Sequence, residues 1–252
     1  MDKVDILGVQ IDNLSPQEVL EQVNHFLHSN DQHYLVTPNP EFIVATNQDH
    51  EFKEILNYAD IAVADGVGLI KIAKLLGQRL QRVTGVDLVW LISELAEQQN
   101  CSVYLLGAAE TVAAQTATVL KENLPNLIVA GAESGGDITD PKEIDHELIE
   151  RINDSQAAIL FVALGQIKQE KWIFYHLDQL PNIKVAVGIG GAFDYISGNV
   201  LRAPKILRNL GLEWLFRLIL QPQRYKRIFT ATVIFPWLVL IDQIKKRVAP
   251  NR

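Results

Sequence analysis

The segment Ala158-Ile-Leu-Phe-Val-Ala-Leu164 contains only apolar residues and is followed directly by Gly165. A strand with one face in water alternates apolar and polar residues, whereas a strand covered on both faces is apolar along its length. The segment therefore predicts a strand in the interior of a parallel sheet, with helices packed on both faces.

Shorter apolar runs on either side of this segment alternate with longer stretches of helical periodicity, as in α/β proteins. The predicted strands are residues 34–37, 61–64, 102–106, 127–130, 158–164 and 183–187. Helix starts are predicted at Ser15-Pro16-Gln17-Glu18, which has the pattern of a capping box, at Asn39-Pro40 and at Asp140-Pro141. We therefore predict an α/β fold, a Rossmann-like and mostly parallel sheet with helices on both faces, followed by a basic helical C-terminal appendage.

The charge of the chain is unevenly distributed. The net charge is −7, but residues 1–201 contain 12 Lys/Arg and 28 Asp/Glu, whereas residues 202–252 contain 11 Lys/Arg and only two acidic residues. The alternation of strands and helices ends near Gly198. We therefore predict an α/β core over residues 1–198 and a basic appendage over residues 199–252, whose charge favours an anionic partner surface.

The appendage also contains an apolar run over residues 228–241, interrupted by Pro236. A membrane-spanning helix needs roughly 20 residues to cross about 30 Å of hydrocarbon, so this run favours a helix lying in the membrane interface. Packing of the same helix on the core, or against another subunit of a homo-oligomer, is an alternative. The aromatic residues of the appendage stand among aliphatic ones, which favours a lipid surface over nucleic acid.

Cys101 is the only cysteine, which excludes an intramolecular disulfide and favours a reducing compartment. The N-terminus lacks a basic region followed by an apolar run, so no secretory signal is expected. The sequence has neither an Asp-x-Asp pair nor a cluster of Cys and His at ligand spacing. We therefore expect no metal site and no cofactor.

The segment Gly188-Ile-Gly-Gly-Ala-Phe193 follows a predicted strand. It resembles a dinucleotide-binding fingerprint, but Phe193 stands where the third glycine belongs. Gly188 and Gly190 are predicted to let backbone amides approach a diphosphate at the carboxyl edge of the sheet. A tight strand-to-helix turn without a ligand is the alternative.

Several further motifs occur in a fixed order along nearly the whole chain. They are Thr37-Pro-Asn-Pro40, Ala64-Asp-Gly-Val-Gly68, Arg82-Val-Thr-Gly-Val-Asp-Leu88, Val103-Tyr-Leu-Leu-Gly107, Val162-Ala-Leu-Gly165 with Lys168-Gln-Glu-Lys-Trp-Ile173, Gly188-Ile-Gly-Gly-Ala-Phe-Asp194, Ser197-Gly198 with Arg202-Ala-Pro204, and Gly211-Leu-Glu-Trp-Leu-Phe-Arg217. Together they resemble the WecG/TagA/CpsF family, glycosyltransferase family 26. One departure is Ile167, where the family usually has proline, which changes how this loop enters its helix.

The resemblance implies an inverting, metal-independent glycosyltransferase. Such an enzyme moves N-acetylmannosamine, or a related sugar, from UDP to undecaprenyl-diphosphate-linked GlcNAc for wall teichoic acid or another surface polysaccharide. It would work in the cytoplasm, peripherally on the inner face of the cell membrane, with the appendage as active-site lid and membrane-docking element. The alternatives are a nucleotide-dependent oxidoreductase or isomerase on a similar sheet, and a non-enzymatic membrane-binding module.

Asp65 is the predicted catalytic residue. Inverting transfer needs a base that takes the proton of the acceptor hydroxyl, and Asp65 ends a predicted strand beside Gly66. The alternative role is N-cap of the following helix. Arg82, in a polar loop, is predicted to offset negative charge on the leaving UDP, with a solvated surface arginine as the alternative.

The remaining predicted residues bind substrate. Thr37 and Asn39 follow the first core strand and are predicted to contact the sugar, although turn and N-cap duties are alternatives. Gln169, at a helix start, is predicted to reach UDP or sugar, with an exposed helix position as the alternative. The resemblance implies that Arg217, Arg224 and Arg227 bind diphosphate; their spacing fits one helix face, unless Pro222 separates two helices.

Overall fold

The computed structural model describes residues 2–248, so Met1 and residues 249–252, the last four of the predicted appendage, lie outside the described part. Within that part the chain forms eight strands. They are β1 (Lys3–Ile6), β2 (Val9–Asp12), β3 (His33–Val36), β4 (Ile61–Ala62), β5 (Ser102–Gly107), β6 (Ile128–Glu133), β7 (Ile159–Ala163) and β8 (Val185–Gly188).

Within residues 2–248, the larger sheet has six parallel strands in the order β4-β3-β8-β7-β5-β6. All six predicted strands are confirmed as its members, with ends that differ by a few residues. The segment that first indicated the sheet forms β7, between β8 and β5. The fold is therefore α/β and Rossmann-like, as predicted.

An antiparallel hairpin of β1 and β2 was not predicted. Its two-residue turn places Leu7 and Gly8 at positive φ, and only the glycine signals such a turn in the sequence. The hairpin is joined to the sheet by Asp12, whose buried carboxylate accepts a hydrogen bond of 2.8 Å from the backbone N–H of Ala62. This tertiary contact stabilises a pair of strands that would be marginal in isolation.

The described residues also form thirteen α-helices. They are α1 (Pro16–Leu27), α2 (Pro40–Ala45), α3 (His50–Tyr58), α4 (Val67–Leu75), α5 (Gly85–Gln99), α6 (Val112–Asn123), α7 (His146–Asp154), α8 (Lys168–His176), α9 (Ala192–Ile196), α10 (Lys205–Asn209), α11 (Glu213–Leu220), α12 (Tyr225–Phe229) and α13 (Phe235–Val248).

Two of the three predicted helix starts are confirmed. Ser15 and Glu18 form a reciprocal capping box on α1, and Asn39 caps α2. The start predicted at Asp140 is wrong, because that carboxylate accepts from the N–H of Lys142 within a turn and α7 begins after Asp145, which caps it.

Alternating side chains of β7 enter two separate apolar layers. Ile159, Phe161 and Ala163 pack into the layer that contains α1, α5, α6 and α9, while Leu160 and Val162 pack into the layer on the other face, with α2, α3, α4, α7 and α8. Burial of each of the larger side chains, those of Ile159, Leu160, Phe161 and Val162, contributes about 1.5–3 kcal/mol. The two layers confirm that helices cover both faces of the sheet.

The chain after Gly198 adds helices α10 to α13. A short 3₁₀ turn, Pro222–Arg224, precedes α12, and a π-helical turn, Thr230–Ile234, joins α12 to α13. Phe235 and Val239 of α13 are buried in the layer that contains α2, whereas most apolar side chains of this region are exposed.

The helix from Pro222 to Lys246 is continuous over 25 residues and is mostly apolar. Only 11% of its most apolar 18-residue stretch is buried. By length and composition it is long and apolar enough to cross a membrane. It is thus longer than the apolar run over residues 228–241. The π turn accommodates Pro236, which has no N–H for a regular helical bond.

Candidate active site

A cavity of about 250 Å³ lies at the carboxyl edge of the sheet. The four neighbouring strands β4, β3, β8 and β7 end there, where parallel sheets usually bind ligands. Nine of the ten predicted site residues line the cavity: Thr37, Asn39, Asp65, Arg82, Gln169, Gly190, Arg217, Arg224 and Arg227. Residues that the sequence analysis did not single out also line it, among them Thr84, Asp194, Tyr195, Arg202 and Glu213.

Asp65 lies at the wall of the cavity, directly after the segment that continues β4. Its backbone N–H donates to the carbonyl of Pro38 at 2.8 Å, and the preceding Ala64 pairs with Arg82 as a parallel bridge. Helix α4 begins after Gly66, and within residues 2–248 no side chain caps it, so the N-cap alternative for Asp65 is wrong. Burial raises the pKa of the Asp65 carboxyl, and the positive charges of Arg82 and Arg217 oppose this rise.

Glu213 joins two of the cavity arginines. Its Oε2 accepts from Nη2 of Arg82 at 2.9 Å, and its Oε1 accepts from Nη2 of Arg217 at 2.8 Å. Arg82 is therefore not the freely solvated arginine of the alternative interpretation. Arg217 additionally lies over the ring of Tyr195, with its guanidinium carbon 5.0 Å from the ring centroid.

The Nε atoms of Arg82 and Arg217 are buried, and within residues 2–248 neither has a hydrogen-bond partner. A buried donor without an acceptor costs roughly 1–3 kcal/mol, so such groups are usually paired. Two neighbouring guanidiniums with unsatisfied donors are suited to an anion with several oxygens, such as a diphosphate.

Arg224 and Arg227 also line the cavity, from the helical segment that follows Gln221. The single helix face suggested by their spacing from Arg217 is not formed, because α11 ends at Leu220 and a new helical segment starts at Pro222. Arg227 is anchored by Glu41, whose Oε2 accepts from its Nε at 2.6 Å. The two-helix arrangement nevertheless brings all three arginines to one cavity.

Thr37 and Asn39 follow β3 at the cavity wall. The buried Thr37 hydroxyl donates to the carbonyl of Gly188 at 3.0 Å. Oδ1 of Asn39 accepts from two backbone N–H groups at the start of α2, at 2.9 and 3.1 Å, so the N-cap role is real. The Nδ2 amide of Asn39 has no partner within the described part of the chain and is available for a ligand.

Gln169 is fully buried on α8, so the alternative of an exposed helix position is wrong. Its Oε1 accepts from the N–H of Gly190 at 3.0 Å, and its Nε2 donates to Glu170 at 2.6 Å. Glu170 is also fully buried, and burial raises its pKa to about 7. These bonds hold the loop after β8, where Gly190 adopts a φ of +56° that favours glycine.

Gly188 is the one predicted residue that is not in the cavity wall. It is the buried last residue of β8, and a side chain there would come within 2.7 Å of Oε1 of Glu170 and 2.9 Å of Nε2 of Gln169. Gly188 thus leaves room for the two side chains beneath the loop. The cavity itself is bordered by Gly190 and Gly191.

Ile167, the position where the family usually has proline, has a φ of +71°. Proline is restricted to a φ near −65°, so it cannot take this conformation. The Ile167 N–H, which proline lacks, donates to Oε2 of Glu170 at 2.8 Å. The conformation in which this loop enters α8 therefore requires a residue other than proline at position 167.

The cavity is lined by three carboxyl side chains, those of Asp65, Asp194 and Glu213, and by five arginines, Arg82, Arg202, Arg217, Arg224 and Arg227. Across residues 2–248, no three His, Cys, Asp or Glu side chains are grouped so that they could hold a metal ion. Chemically, the arrangement can remove a proton at Asp65 and stabilise developing negative charge at the arginines.

Prediction from the sequence did not identify Glu213, Asp194 and Arg202 as residues of the site. Each stands inside one of the ordered motifs, so the signal was present, but neither residue type nor spacing shows which motif members face a common cavity. Arg202 is held there by Asp87, whose Oδ1 accepts from its Nη2 at 3.0 Å.

Comparison with known proteins gives consistent results. The model of the glycosyl transferase WecG/TagA/CpsF family matches residues 4–249. An N-acetylglucosaminyldiphosphoundecaprenol N-acetyl-beta-D-mannosaminyltransferase of Bacillus spizizenii is 36% identical over 206 residues, 81% of this chain and 78% of the relative. A protein of the same name from Staphylococcus aureus is 32% identical over 229 residues, 90% of this chain and 88% of the relative. The chain therefore belongs to the WecG/TagA/CpsF family and is a glycosyltransferase.

Proposed function

We propose that this enzyme transfers N-acetylmannosamine, or a related sugar, from a UDP-sugar to undecaprenyl-diphosphate-linked GlcNAc, with inversion and without a metal ion. The names of the two relatives support this donor sugar and acceptor. The product would serve the linkage unit of wall teichoic acid or another surface polysaccharide. Because the chain belongs to a glycosyltransferase family, its motifs are poorly explained by an oxidoreductase, an isomerase or a non-enzymatic module.

The observation that carries the proposal is the common cavity of Asp65 and the arginines. In the proposed step, Asp65 takes the proton of the acceptor hydroxyl while its oxygen attacks the anomeric carbon of the donor sugar from the face opposite UDP. The bond from that carbon to the β-phosphate oxygen breaks, and its electron pair leaves with UDP. Arg82 and Arg217 stabilise the negative charge that appears on the diphosphate.

The environment of Asp65 fits a base. Burial makes its charged form less stable than that of an exposed aspartate and raises its pKa, which increases its affinity for the acceptor proton. Arg82 and Arg217 oppose this rise by favouring the ionised form, which is the form that takes the proton. Thr37, Asn39, Gln169 and the loop of Gly190 would surround the sugar and the diphosphate.

The appendage would close the cavity and dock the enzyme on the inner face of the cytoplasmic membrane. From Tyr225 to the end of α13, large apolar side chains recur every third or fourth residue and are about half exposed or more: Tyr225, Phe229, Val233, Trp237, Leu240, Ile244 and Val248. Basic residues stand near both ends of this helix, which suits anionic lipid headgroups. A lipid-linked acceptor could thus reach the cavity without leaving the bilayer.

Assay of UDP release tests the proposal. The enzyme would be incubated with a panel of UDP-sugars and a short-chain analogue of the lipid-linked GlcNAc. We expect release only when UDP-N-acetylmannosamine, or one related UDP-sugar, and the acceptor are both present, in buffer with a chelator. Release that requires an added divalent ion would contradict the metal-independent mechanism, and binding of NAD with no UDP release would favour the oxidoreductase.

A further inference from the structure

Glu213 is a nearly buried carboxylate in a cavity that is otherwise suited to anions. Its side chain is 11% exposed and stands at the first position of α11. The proposed function does not use it as a base, because both its oxygens are engaged by arginine Nη2 atoms at 2.8 and 2.9 Å. The two arginines lower the pKa of Glu213 even though burial opposes this, so it is ionised at neutral pH.

A negative charge at this place is unfavourable for a diphosphate by simple electrostatics. A carboxylate that lines the same partly buried cavity repels a diphosphate, so a residue that only added charge would weaken donor binding. The geometry gives Glu213 another effect. Arg82 comes from the loop before α5 and Arg217 from α11, and these two segments are otherwise far apart in the sequence. One carboxylate holds both guanidiniums at fixed positions.

The two arginines have N–H donors that Glu213 does not use. Each guanidinium has five N–H groups, of which Glu213 occupies one, and both buried Nε atoms lack an acceptor within residues 2–248. Holding two long side chains in place before binding lowers the entropy cost of ordering them on the ligand. The carboxylate therefore preorganises a pair of cations.

We propose that Glu213 is a positioning residue for the donor diphosphate: it holds Arg82 of the core and Arg217 of the appendage together, so that the diphosphate binds both. This inference rests on the proposed UDP-sugar donor. It also explains how the appendage contributes to the donor site, because α11 reaches the core arginine through this carboxylate. Glu213 itself does not contact the reacting atoms.

Calorimetric titration of the full-length protein with UDP distinguishes positioning from simple charge. Glu213→Gln removes the negative charge and one of the two acceptor oxygens. Positioning predicts UDP binding weaker by roughly ten- to a hundredfold, since one charge-assisted hydrogen bond is lost and the arginines become disordered. Simple charge predicts the opposite sign, that is, tighter binding. Unchanged or tighter binding would overturn the inference.

Two further variants separate positioning from a merely structural role. In an Arg82→Ala background, Glu213→Gln should cause little additional loss, because Glu213 acts through the arginines and the two effects are not additive. Full additivity would contradict the inference. Glu213→Asp keeps the charge but is too short to reach both arginines, so it should also weaken UDP binding. If Glu213→Gln does not fold, undiminished UDP binding by folded Glu213→Asp would overturn the proposal.

The control is Asp242→Asn, which removes an appendage carboxylate that pairs with Lys246 at 2.8 Å outside the cavity. It should leave UDP affinity unchanged. Failure of the wild-type protein to bind UDP would contradict the proposed donor, and with it the inference. Normal wild-type binding together with unchanged Glu213→Gln binding would contradict the inference alone.

Discussion

The core, residues 2–198, and the appendage, residues 199–248, differ in how they bury apolar side chains. In the core, almost every large apolar residue of the sheet and its helices is enclosed in one of two layers. In the appendage only Ala203, Phe235 and Val239 are buried apolar residues within the described part, while many larger ones are exposed. The core is acidic in sequence and the appendage basic.

The two regions also contribute different side chains to one cavity. The core supplies Asp65 and the strand-end loops, which need a rigid sheet to hold them. The appendage supplies Arg202, Arg217, Arg224 and Arg227, together with an exposed apolar surface that has no counterpart in the core. The proposed transfer to a lipid-linked acceptor would use both regions, and the following changes test this division.

Removal of the appendage should have the largest effect. A chain that ends at Gly198 keeps the six-stranded sheet but loses four cavity arginines, Arg202, Arg217, Arg224 and Arg227, so we expect no detectable transfer. Its circular dichroism and thermal melt should still show a folded α/β protein, because few core contacts come from Phe235 and Val239. A fully active truncated enzyme would refute the proposed lid.

Asp65→Asn tests the contribution of the core. Asparagine has a similar shape but cannot accept the proton, so kcat should fall by about 10²–10⁴ while UDP affinity changes little. In the wild type, kcat/KM should decline as pH falls through a pKa above the ordinary range of aspartate, because burial raises that pKa. Near-normal turnover of the Asn variant would exclude Asp65 as the base.

Arginine replacements compare the two regions directly. Arg82→Ala in the core and Arg217→Ala in the appendage should each lower kcat/KM by about 10²–10³, since each removes a cation from the leaving group. Arg151→Ala is a suitable control, because Arg151 pairs with Glu133 at 2.9 Å outside the cavity. An effect of Arg82→Ala without one of Arg217→Ala would show that the core binds the diphosphate alone.

Glu170 should make the stability of the core depend on pH. Its folded pKa of about 7 lies above the ordinary 4.5, so the folded state binds this proton more tightly than the unfolded chain. The free energy of unfolding should therefore fall by roughly 3 kcal/mol as pH rises from about 4.5 to 7, and level off above. Urea unfolding of Glu170→Gln should lack this component, and an identical pH dependence would contradict the assignment.

Exposed aromatic residues give the smallest predicted effect. Trp237→Ala in the appendage should weaken binding to anionic phospholipid vesicles by about tenfold, which corresponds to the loss of one buried aromatic side chain. Tyr58→Ala is the matched control, since Tyr58 is a 74% exposed aromatic residue of the core. Unchanged vesicle binding together with dissociation of an oligomer would favour a subunit interface instead.

Much of the fold could be predicted because buried parallel strands have a strong local signal. An uninterrupted apolar run such as the one that forms β7 fits few structures other than a buried strand in a chain of this composition. The β1–β2 hairpin was missed because it depends on the contact of Asp12 with Ala62, 50 residues away. The false helix start at Asp140 arose because aspartate before proline caps turns as readily as helices.

The candidate site was predicted in part for a similar reason. Strand ends show where a cavity forms, and residues such as Asp65 and Asn39 lie at those ends. Glu213 and Asp194 lie within the ordered motifs, but neither their residue type nor their spacing shows that they face the cavity. The pairing of Arg82 with Glu213 joins positions 131 residues apart, and nothing in either segment indicates the other.

The sequence by itself determined the layered α/β core, the uneven charge and the family, because apolar periodicity, composition and motif order are properties of the linear chain. Only the tertiary structure decided that Asp65 is not a helix cap, that Gln169 supports the Gly190 loop from below, and that arginines from both regions converge on Glu213. Those outcomes depend on distances between distant segments, which are set by packing of the whole sheet and its helices.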